Sequence, residues 1–252
     1  MDTSTSRACL IMHKKSCMRP EVKAAIKTIQ NAGVDLTVRI PWAKRDITTF
    51  VKQAIKEGVT RIIAGGGDGT LSHVANRLLR KGRAAKVSLG VFPLGTANDF
   101  ARGAGVPRGD LAAALHLAAT GAAIPIDIGE VNGRYFINVA SGGFGAEITA
   151  TTPQKLKKGL GGIAYTLVGL ARVFEFKPYH GAYIGPDGER DEGSMIVIAV
   201  GNNRFAGGGF EVAPRANLQD GLLDLAVLSA DALPPVGPIG AELEDPTNRD
   251  NK

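Results

Sequence analysis

A run of glycines interrupted by one acid is the part of this sequence whose residue types point most directly to chemistry. The run is Gly65-Gly66-Gly67-Asp68-Gly69-Thr70, called the glycine turn below, and it follows the apolar segment Arg61-Ile62-Ile63-Ala64. Glycines let a backbone approach a ligand closely. A turn between a buried strand and a helix can aim several N–H groups at a phosphate. We therefore interpret the glycine turn as a phosphate-binding site for a nucleoside triphosphate.

The acid within the glycine turn places a condition on that interpretation. Asp68 beside a phosphate costs electrostatic repulsion unless Mg²⁺ or a substrate hydroxyl lies between them. Thr70 can cap the following helix or donate to a phosphate oxygen. The alternative is a tight strand-to-helix turn with a solvated Asp68, which the run of turn-type residues disfavours. The turn matches neither the GxGxxG nor the GxxxxGK[ST] pattern.

A second polar turn follows the next apolar strand, which is predicted over Val87–Phe92. This second turn, residues 93–102, has the sequence PLGTANDFAR. Thr96 and Asn98 offer neutral polar groups, and Asp99 offers a second acid. An Asn-Asp turn with a capping function would explain these residues equally well if the segment stood alone.

A third acid, Asp127, lies at the start of the second half of the chain. If two domains meet across a cleft, Asp68, Asp99 and Asp127 could surround one Mg²⁺ or a water network. Any one of these acids could instead be a cap or a solvated loop residue. The prediction that they are catalytic depends on the three occurring together.

The elements that must position these turns alternate between strand and helix patterns. Asp46 is predicted to cap one of the helices. Strands are predicted from apolar or alternating runs, and helices from apolar residues at i, i+3, i+4 and i+7; the strands are Ala8–Met12, Val34–Ile40, Arg61–Ala64 and Val87–Phe92. This order predicts an α/β fold with a doubly wound, Rossmann-like parallel sheet. Both turns then fall at the carboxyl ends of strands, where ligands bind in such folds.

The pattern changes near Gly121, after which short strands meet at turns. Asn132-Gly133 predicts a two-residue hairpin turn, and residues 195–200 and 222–228 are further strand-like runs. We therefore predict a nucleotide-binding domain over residues 1–122 and a mostly antiparallel domain over 123–252. A helical insert is expected near residues 153–175.

Composition narrows the classes of protein without choosing one. The 252 residues carry a net charge of +6, and 6% of them are aromatic. A basic surface suits anionic lipid, nucleic acid or phosphate-rich ligands, but no Lys/Arg run is interleaved with aromatics, so nucleic acid ranks below nucleotide or lipid. Two cysteines form no disulfide framework, which favours a reducing cytoplasm. The sequence shows no membrane span and no secretory signal.

The glycine turn followed by PLGTANDF resembles the diacylglycerol kinase catalytic-domain family, and more closely the bacterial YegS-type lipid kinases. GGDGT is shared with NAD kinases and sphingosine kinases, whereas PLGTANDF points to the lipid-kinase branch. The resemblance covers nearly the whole chain in order. Further matching segments are residues 127–129, 136–145, 201–209 and 220–223.

The resemblance implies an α/β nucleotide-binding domain and a β-sandwich second domain, with ATP in the cleft. The expected cofactors are ATP and Mg²⁺, with Ca²⁺ as an alternative. The resemblance implies a metal site at Asn217, Asp220 and Leu222, partly through backbone carbonyls. The glycine turn and the resemblance together give the expected nucleotide-binding residues, which are Gly65, Gly66, Gly67, Asp68, Gly69, Thr70, Leu71, Ser72, His73 and Thr96.

The sequence departs from the family pattern at three places. Ser72 and His73 stand where the family usually has Asn and Glu, and Pro41 stands where close relatives tend to have a nucleotide-contacting Thr. The family's general base is a Glu in an Asp-Gly-Glu-Pro segment beyond the Asp-Gly-Leu-Leu motif. No such segment occurs before Lys252. We therefore expect a truncated chain with an incomplete second domain.

Three functions remain open from the sequence. The first is an ATP-dependent kinase that phosphorylates a hydroxyl of a lipid such as phosphatidylglycerol or diacylglycerol. The second is a non-catalytic nucleotide-binding protein or an inactive fragment without the general base, and the third is an NAD or sphingoid-base kinase. A lipid substrate implies transient contact with the inner face of the membrane. Residues 155–170 of the insert mix basic and apolar side chains and could make that contact.

Overall fold

A computed structural model describes residues 7–80, 87–143 and 178–229 of the chain. The chain divides into two compact units. The first comprises Met1–Val139 and Asn202–Leu223, and the second comprises Ala140–Gly201 and Asp224–Lys252. Compact units and evolutionary domains need not share limits, so the domain limits at residues 122 and 123 stay a prediction.

A parallel four-stranded sheet, in strand order β2-β1-β3-β4, forms the centre of the described part of the first unit. The doubly wound parallel sheet expected from the sequence is therefore confirmed. Met12 pairs with Gly65, and Gly66 pairs with Pro93, so the loops after β1, β3 and β4 leave from one edge. The strands are β1 (Ala8–Met12), β2 (Leu36–Arg39), β3 (Arg61–Gly66) and β4 (Ser88–Pro93).

Helices cover both faces of this sheet. The structure places α2 and α6 against one apolar cluster, and α3 and α4 against the other. Cys9 lies in the cluster that α3 and α4 cover. Burial there raises the pKa of the Cys9 thiol to about 11, so this thiol packs in the core as a small apolar side chain. The described helices are α1 (Lys14–Cys17), α2 (Pro20–Asn31), α3 (Lys44–Lys56), α4 (Asp68–Leu79), α5 (Asp99–Gly103) and α6 (Leu111–Thr120).

Two helices have a different N-cap residue in the structure from the one that the sequence predicts. Asp46 is the third residue of α3 rather than its cap, and its carboxylate accepts from the N–H groups of Trp42 (3.0 Å) and Ala43 (2.8 Å). Gly67, rather than Thr70, caps α4. In both cases the helix begins earlier than predicted, because a carboxylate in the first turn is favourable beside the helix N-terminus.

The first unit also contains four short strands outside the parallel sheet. Asn132 and Gly133 have φ angles of 49° and 70°, which are the values that a tight hairpin turn requires. The predicted hairpin is therefore confirmed. The strands are β5 (Gly129–Val131) and β6 (Arg134–Phe136), which form the hairpin, and β10 (Phe205–Ala206) and β11 (Phe210–Glu211).

The second unit is built on a sheet whose long strand β9 pairs antiparallel with β8 and with β12. The mostly antiparallel second half is therefore confirmed. The predicted helical insert at 153–175 lies outside the described residues. Among the described residues, no helix is long and apolar enough to cross a membrane. The sheet consists of β7 (Val139–Gly143), β8 (Tyr179–Ile184), β9 (Arg190–Gly201) and β12 (Asp224–Ser229).

Candidate active site

The last three residues of the glycine turn, Asp68 to Thr70, form the start of a 12-residue helix, α4, and this position exposes N–H groups. The N–H groups of Thr70 (2.9 Å) and Leu71 (3.1 Å) both donate to the carbonyl of Gly67. The N–H groups of Asp68 and Gly69 have no acceptor within the helix, because the first helical residues lack one. A Cβ placed on Gly69 would meet nothing within 4 Å. This edge of the turn is therefore open to a ligand.

The glycine turn and the second turn pack backbone against backbone. A Cβ on Gly95 would lie 2.4 Å from the Cα of Gly67, so this approach requires glycine. Asn98 fixes Gly95, because its Oδ1 accepts from the Gly95 N–H at 2.9 Å and its Nδ2 donates to the Gly95 carbonyl at 2.8 Å. Thr96, which follows Gly95, is exposed. Its hydroxyl is therefore available beside the glycine turn.

Asp68 joins the two turns through its side chain. Its carboxylate accepts from the N–H groups of Asp99 (3.1 Å) and Phe100 (2.9 Å), the first two residues of α5. The acid of the glycine turn thus caps a helix of the second turn. Such a bond to a charged acceptor is stronger than one between neutral groups. This contact gives the acid of the glycine turn a structural role.

Asp99 is buried, with 4% of its surface exposed, and it connects the second turn to a distant glycine-rich loop. Its Oδ2 accepts from the Gly208 N–H at 2.9 Å. Gly207, Gly208 and Gly209 have φ angles of 69°, 98° and 107°, which residues with a side chain rarely adopt. Burial raises the pKa of the Asp99 carboxyl; the Gly208 hydrogen bond opposes this rise, and the charge of Asp68 adds to it.

The raised pKa of Asp99 predicts a pH-dependent difference in stability between the wild type and Asp99→Asn. The folded state binds the Asp99 proton more tightly than the unfolded state, so the stability from this group falls as pH rises above about 4. Asn cannot ionise but still offers an oxygen to Gly208. We expect the free energy of unfolding of the wild type relative to Asp99→Asn to fall across this range. Urea unfolding of both proteins from acidic to neutral pH measures it.

Asp99→Ala is the control for the hydrogen bond alone. Alanine leaves the Gly208 N–H without its acceptor, which costs about 1–3 kcal/mol at every pH. Parallel pH profiles for the wild type and Asp99→Asn would contradict the assignment of a raised pKa to Asp99.

Asp127 contacts the loop that contains the predicted metal residues, residues 217–222, which is called the predicted metal loop below. Its Oδ2 accepts from the Gly221 N–H at 2.7 Å. No group of three His, Cys, Asp or Glu side chains in the described ranges could hold a metal ion. Asp68, Asp99 and Asp127 therefore do not form one three-carboxylate metal centre. Their catalytic roles stay a prediction.

The predicted metal residues lie in an exposed loop that is ordered by its own polar side chains. Asn217 Oδ1 accepts from the Gln219 N–H at 3.1 Å, and Asp220 Oδ1 accepts from the Leu222 N–H at 3.0 Å. Side-chain oxygens and backbone carbonyls are the donors that Mg²⁺ and Ca²⁺ prefer. The chemistry of this loop thus fits either cation.

Two adjacent asparagines link the second turn to the Asp127 region, and sequence reasoning gave them no role. Asn202 and Asn203 are buried. Asn202 Nδ2 donates to the Asp127 carbonyl at 2.9 Å, and Asn203 Nδ2 donates to the Phe100 carbonyl at 3.3 Å. In the sequence, the feature that could have indicated this role is the pair of consecutive asparagines directly after an apolar strand. Together with the aspartate contacts, they connect the glycine turn to the predicted metal loop through hydrogen bonds.

The remaining predicted nucleotide-binding residues take different positions on α4. Leu71 is buried in the core beneath the glycine turn. The Nε2 of His73 lies 3.2 Å from the Lys44 carbonyl, and burial lowers the pKa of its imidazole. The Ser72 carbonyl accepts from Asn76 at 3.0 Å.

A larger groove of about 990 Å³ runs along the open edge of β4. Apolar side chains such as Leu89, Leu117 and Ile126 dominate its lining, and Asn217 is one of its polar members. None of the three aspartates lines it. The chemistry expected from the sequence belongs instead to the small crevice between the two turns, which is lined by Gly66, Gly67, Asp68, Leu71, Val91, Pro93, Asn98 and Ala101.

Comparison with known families defines the class of protein. The diacylglycerol kinase catalytic domain matches residues 7–131, and the YegS C-terminal NAD kinase beta sandwich-like domain matches residues 138–233. A parallel sheet with the two turns at its carboxyl edge, followed by this second domain, is the architecture of a diacylglycerol kinase-type enzyme. The predicted β-sandwich class of the second domain is confirmed.

Individual relatives agree with that class. The "Probable lipid kinase YegS-like" of Klebsiella pneumoniae (strain 342) is 42% identical over 96% of this chain and 80% of its own length. The protein of the same name from Pseudomonas aeruginosa PAO1 is 46% identical over 88% of this chain and 72% of its own. The chain therefore belongs to the YegS-like lipid kinase family, and its enzyme class is that of a lipid kinase.

Solved structures support the same fold. "The crystal structure of a diacylglycerol kinases from Bacillus anthracis str. Sterne" matches with a TM-score of 0.66 and 25% identity, over 99% of this chain and 82% of that one. Another structure from that strain matches with a TM-score of 0.71 and 26% identity, over 91% of this chain and 77% of its own.

Proposed function

We propose that the enzyme transfers the γ-phosphate of ATP to a hydroxyl group of a lipid such as phosphatidylglycerol or diacylglycerol. The observation that carries this proposal is the contact of Asp68 with the first two N–H groups of α5. This contact unites the two turns into one polar surface at the carboxyl edge of the sheet. Phosphoryl transfer asks a protein mainly for such positioning and for charge stabilisation.

The residues that hold the nucleotide follow from this surface. The N–H groups of Asp68 and Gly69 bind phosphate oxygens, and the Thr96 hydroxyl donates from the neighbouring turn. Gly65 and Gly66 end β3 and lead the backbone to the start of α4, where these N–H groups lie. Thr70, Ser72 and His73 complete the predicted contact region along α4.

The three aspartates act by positioning other groups. Asp68 holds the second turn, Asp99 holds the glycine-rich loop at Gly208, and Asp127 holds the predicted metal loop at Gly221. The Oδ1 atoms of Asp99 and Asn202 are buried without a hydrogen-bond partner among the described residues. Buried oxygens of this kind ordinarily bind water, which supports the proposed water network between the turns and the predicted metal loop.

Asn217, Asp220 and the Leu222 carbonyl are the proposed ligands of Mg²⁺, with Ca²⁺ as the alternative cation. A divalent cation neutralises charge during phosphoryl transfer when it is bound. The protein itself supplies a loop whose oxygens are already oriented by hydrogen bonds.

A lipid acceptor also implies where the enzyme works. We propose that it contacts the inner face of the membrane transiently and otherwise stays in the cytoplasm. The basic and apolar segment at 155–170, predicted to make this contact, lies outside the described residues. The net charge of +6 favours an anionic bilayer surface.

The proposal is tested with ATP radiolabelled on its γ-phosphate and vesicles that contain diacylglycerol or phosphatidylglycerol. We expect label in the lipid fraction when Mg²⁺ is present, and a parallel series with Ca²⁺ identifies the preferred cation. NAD and sphingosine serve as competing acceptors. Label in NAD or sphingosine alone would refute the proposed acceptor. ATP binding without transfer to any acceptor would identify a non-catalytic nucleotide-binding protein.

A further inference from the structure

The sole tryptophan of the chain, Trp42, is 84% exposed in the loop between β2 and α3. Tryptophan is highly buried on average, so this exposure calls for a function. The loop is fixed, because Asp46 accepts from the backbone N–H groups of Trp42 and Ala43. The indole is therefore presented from an ordered position.

A lysine covers one face of the indole. The Lys14 Nζ lies 4.8 Å from the ring centroid, which is a cation–π contact. Lys14 begins α1, directly after the carboxyl end of β1. The pair thus joins the loops that follow β1 and β2 and supplies both a flat aromatic surface and a positive charge.

The strand order places this pair in line with the glycine turn. Across the carboxyl edge, the loops after β2, β1, β3 and β4 carry Trp42, Lys14, Gly67 and Gly95 in that order. Neighbouring strands are about 4.8 Å apart, so β2, which leads to Trp42, lies roughly 10 Å, or two strand spacings, from β3, which leads to the glycine turn. The contact between His73 and the Lys44 carbonyl (3.2 Å) links α4 to the start of α3. In folds of this kind, ligands bind at the carboxyl edge between two neighbouring strands whose following helices pack on opposite faces of the sheet. The strands β1 and β3 meet this condition, because α2 and α4 pack against different apolar clusters.

We propose that Trp42 stacks against the purine base of the bound nucleoside triphosphate. This inference rests on the proposed function, because the phosphates must lie on the glycine turn. An extended ribose and phosphate chain then spans the loop after β1 and brings the base to the indole. Lys14 holds the opposite ring face and adds positive charge along the phosphate chain. Stacking strength grows with the area of the base, so Trp42 also sets a preference for purine over pyrimidine nucleotides.

The fluorescence of Trp42 reports on this contact directly, since the chain has one tryptophan. We expect ATP to quench its emission, and inorganic tripolyphosphate to compete with ATP without quenching. Trp42→Ala should raise the Kd for ATP about tenfold, as expected for loss of one base–aromatic stack, and leave the Kd for tripolyphosphate unchanged. Trp42→Phe keeps an aromatic face and should retain most of the affinity. Equilibrium dialysis measures these constants independently of fluorescence.

The outcomes separate this inference from the proposed function. Equal ATP affinity in the wild type and Trp42→Ala would overturn stacking while the glycine turn still bound nucleotide. Binding of neither ATP nor tripolyphosphate by the wild type would overturn the proposed function, and stacking with it. A blue shift of Trp42 emission with phosphatidylglycerol vesicles, together with no response to ATP, would show that the indole contacts the membrane and would refute stacking.

Discussion

Gly95→Ala is expected to lower the affinity for ATP about a hundredfold while leaving the protein folded. The added Cβ would lie 2.4 Å from the Cα of Gly67 and 2.9 Å from the Oδ1 of Asn98. Both neighbours are held in place, Gly67 as the cap of α4 and Asn98 by its hydrogen bonds to Gly95. The two turns must therefore move apart.

The consequence of that separation is larger for function than for stability. Overpacking of this kind costs about 1–3 kcal/mol, which is less than the stability of a typical domain. Separating the turns, however, moves Thr96 away from the N–H groups of Asp68 and Gly69. Losing a hydrogen bond to a charged phosphate costs about 1.5–3 kcal/mol, which corresponds to roughly a tenfold to hundredfold loss of affinity. Equilibrium dialysis with ATP and urea unfolding measure the two effects separately.

Gly109→Ala is the matched control for Gly95→Ala. Gly109 is also in a turn before a helix, but a Cβ there would meet nothing within 4 Å. We expect this variant to bind ATP with wild-type affinity. If Gly95→Ala also bound ATP normally, the contact between the two turns would have no part in nucleotide binding.

The local elements of the first unit could be predicted because their signals are local. The apolar spacing of Val22, Ala25, Ile26 and Ile29 specifies the buried face of α2, and these four residues are buried. Asn132-Gly133 specifies the hairpin by its backbone conformation. Such patterns depend on neighbouring residues, so the sequence suffices to locate them.

The partners of the site residues could not be predicted, because they lie far apart in the chain. Asp68 binds N–H groups 31 and 32 residues away, and Asp99 binds an N–H group 109 residues away. The residues next to an Asp in the sequence do not indicate a partner that lies so far along the chain. Three acids in one chain favoured a shared metal. The structure instead distributes them among a helix cap, a glycine-rich loop and the predicted metal loop.

This distribution changes the role that is expected of the three acids. Each of the three carboxylates accepts a hydrogen bond from a backbone N–H group, and the three bonds hold the second turn, the loop at Gly208 and the loop at Gly221. Carboxylates used in this way orient other groups and need not touch a substrate. Under the proposed function, the N–H groups of Asp68 and Gly69 are therefore the part of the site that contacts the nucleotide directly.

Gly69→Ala tests that direct contact without disturbing the fold. Gly69 is the second residue of α4, and an added Cβ would meet nothing within 4 Å. In a helix the Cα–Cβ bond tilts toward the N-terminus, so the methyl group would point toward the phosphates. Alanine is favoured over glycine in helices by up to about 1 kcal/mol. We therefore expect unchanged or increased stability together with at least a roughly tenfold loss of ATP affinity.

The opposite signs of these two effects make the result diagnostic. Thr49→Ala, on the exposed face of α3, is the matched control, because it replaces a residue of lower helix propensity away from the glycine turn. It should leave ATP affinity unchanged. Loss of tripolyphosphate affinity in Gly69→Ala, but not in Thr49→Ala, would assign the effect to the phosphates rather than to the base. Wild-type ATP affinity in Gly69→Ala would place the phosphates elsewhere, because a methyl group and a phosphate oxygen cannot share the space before one N–H group.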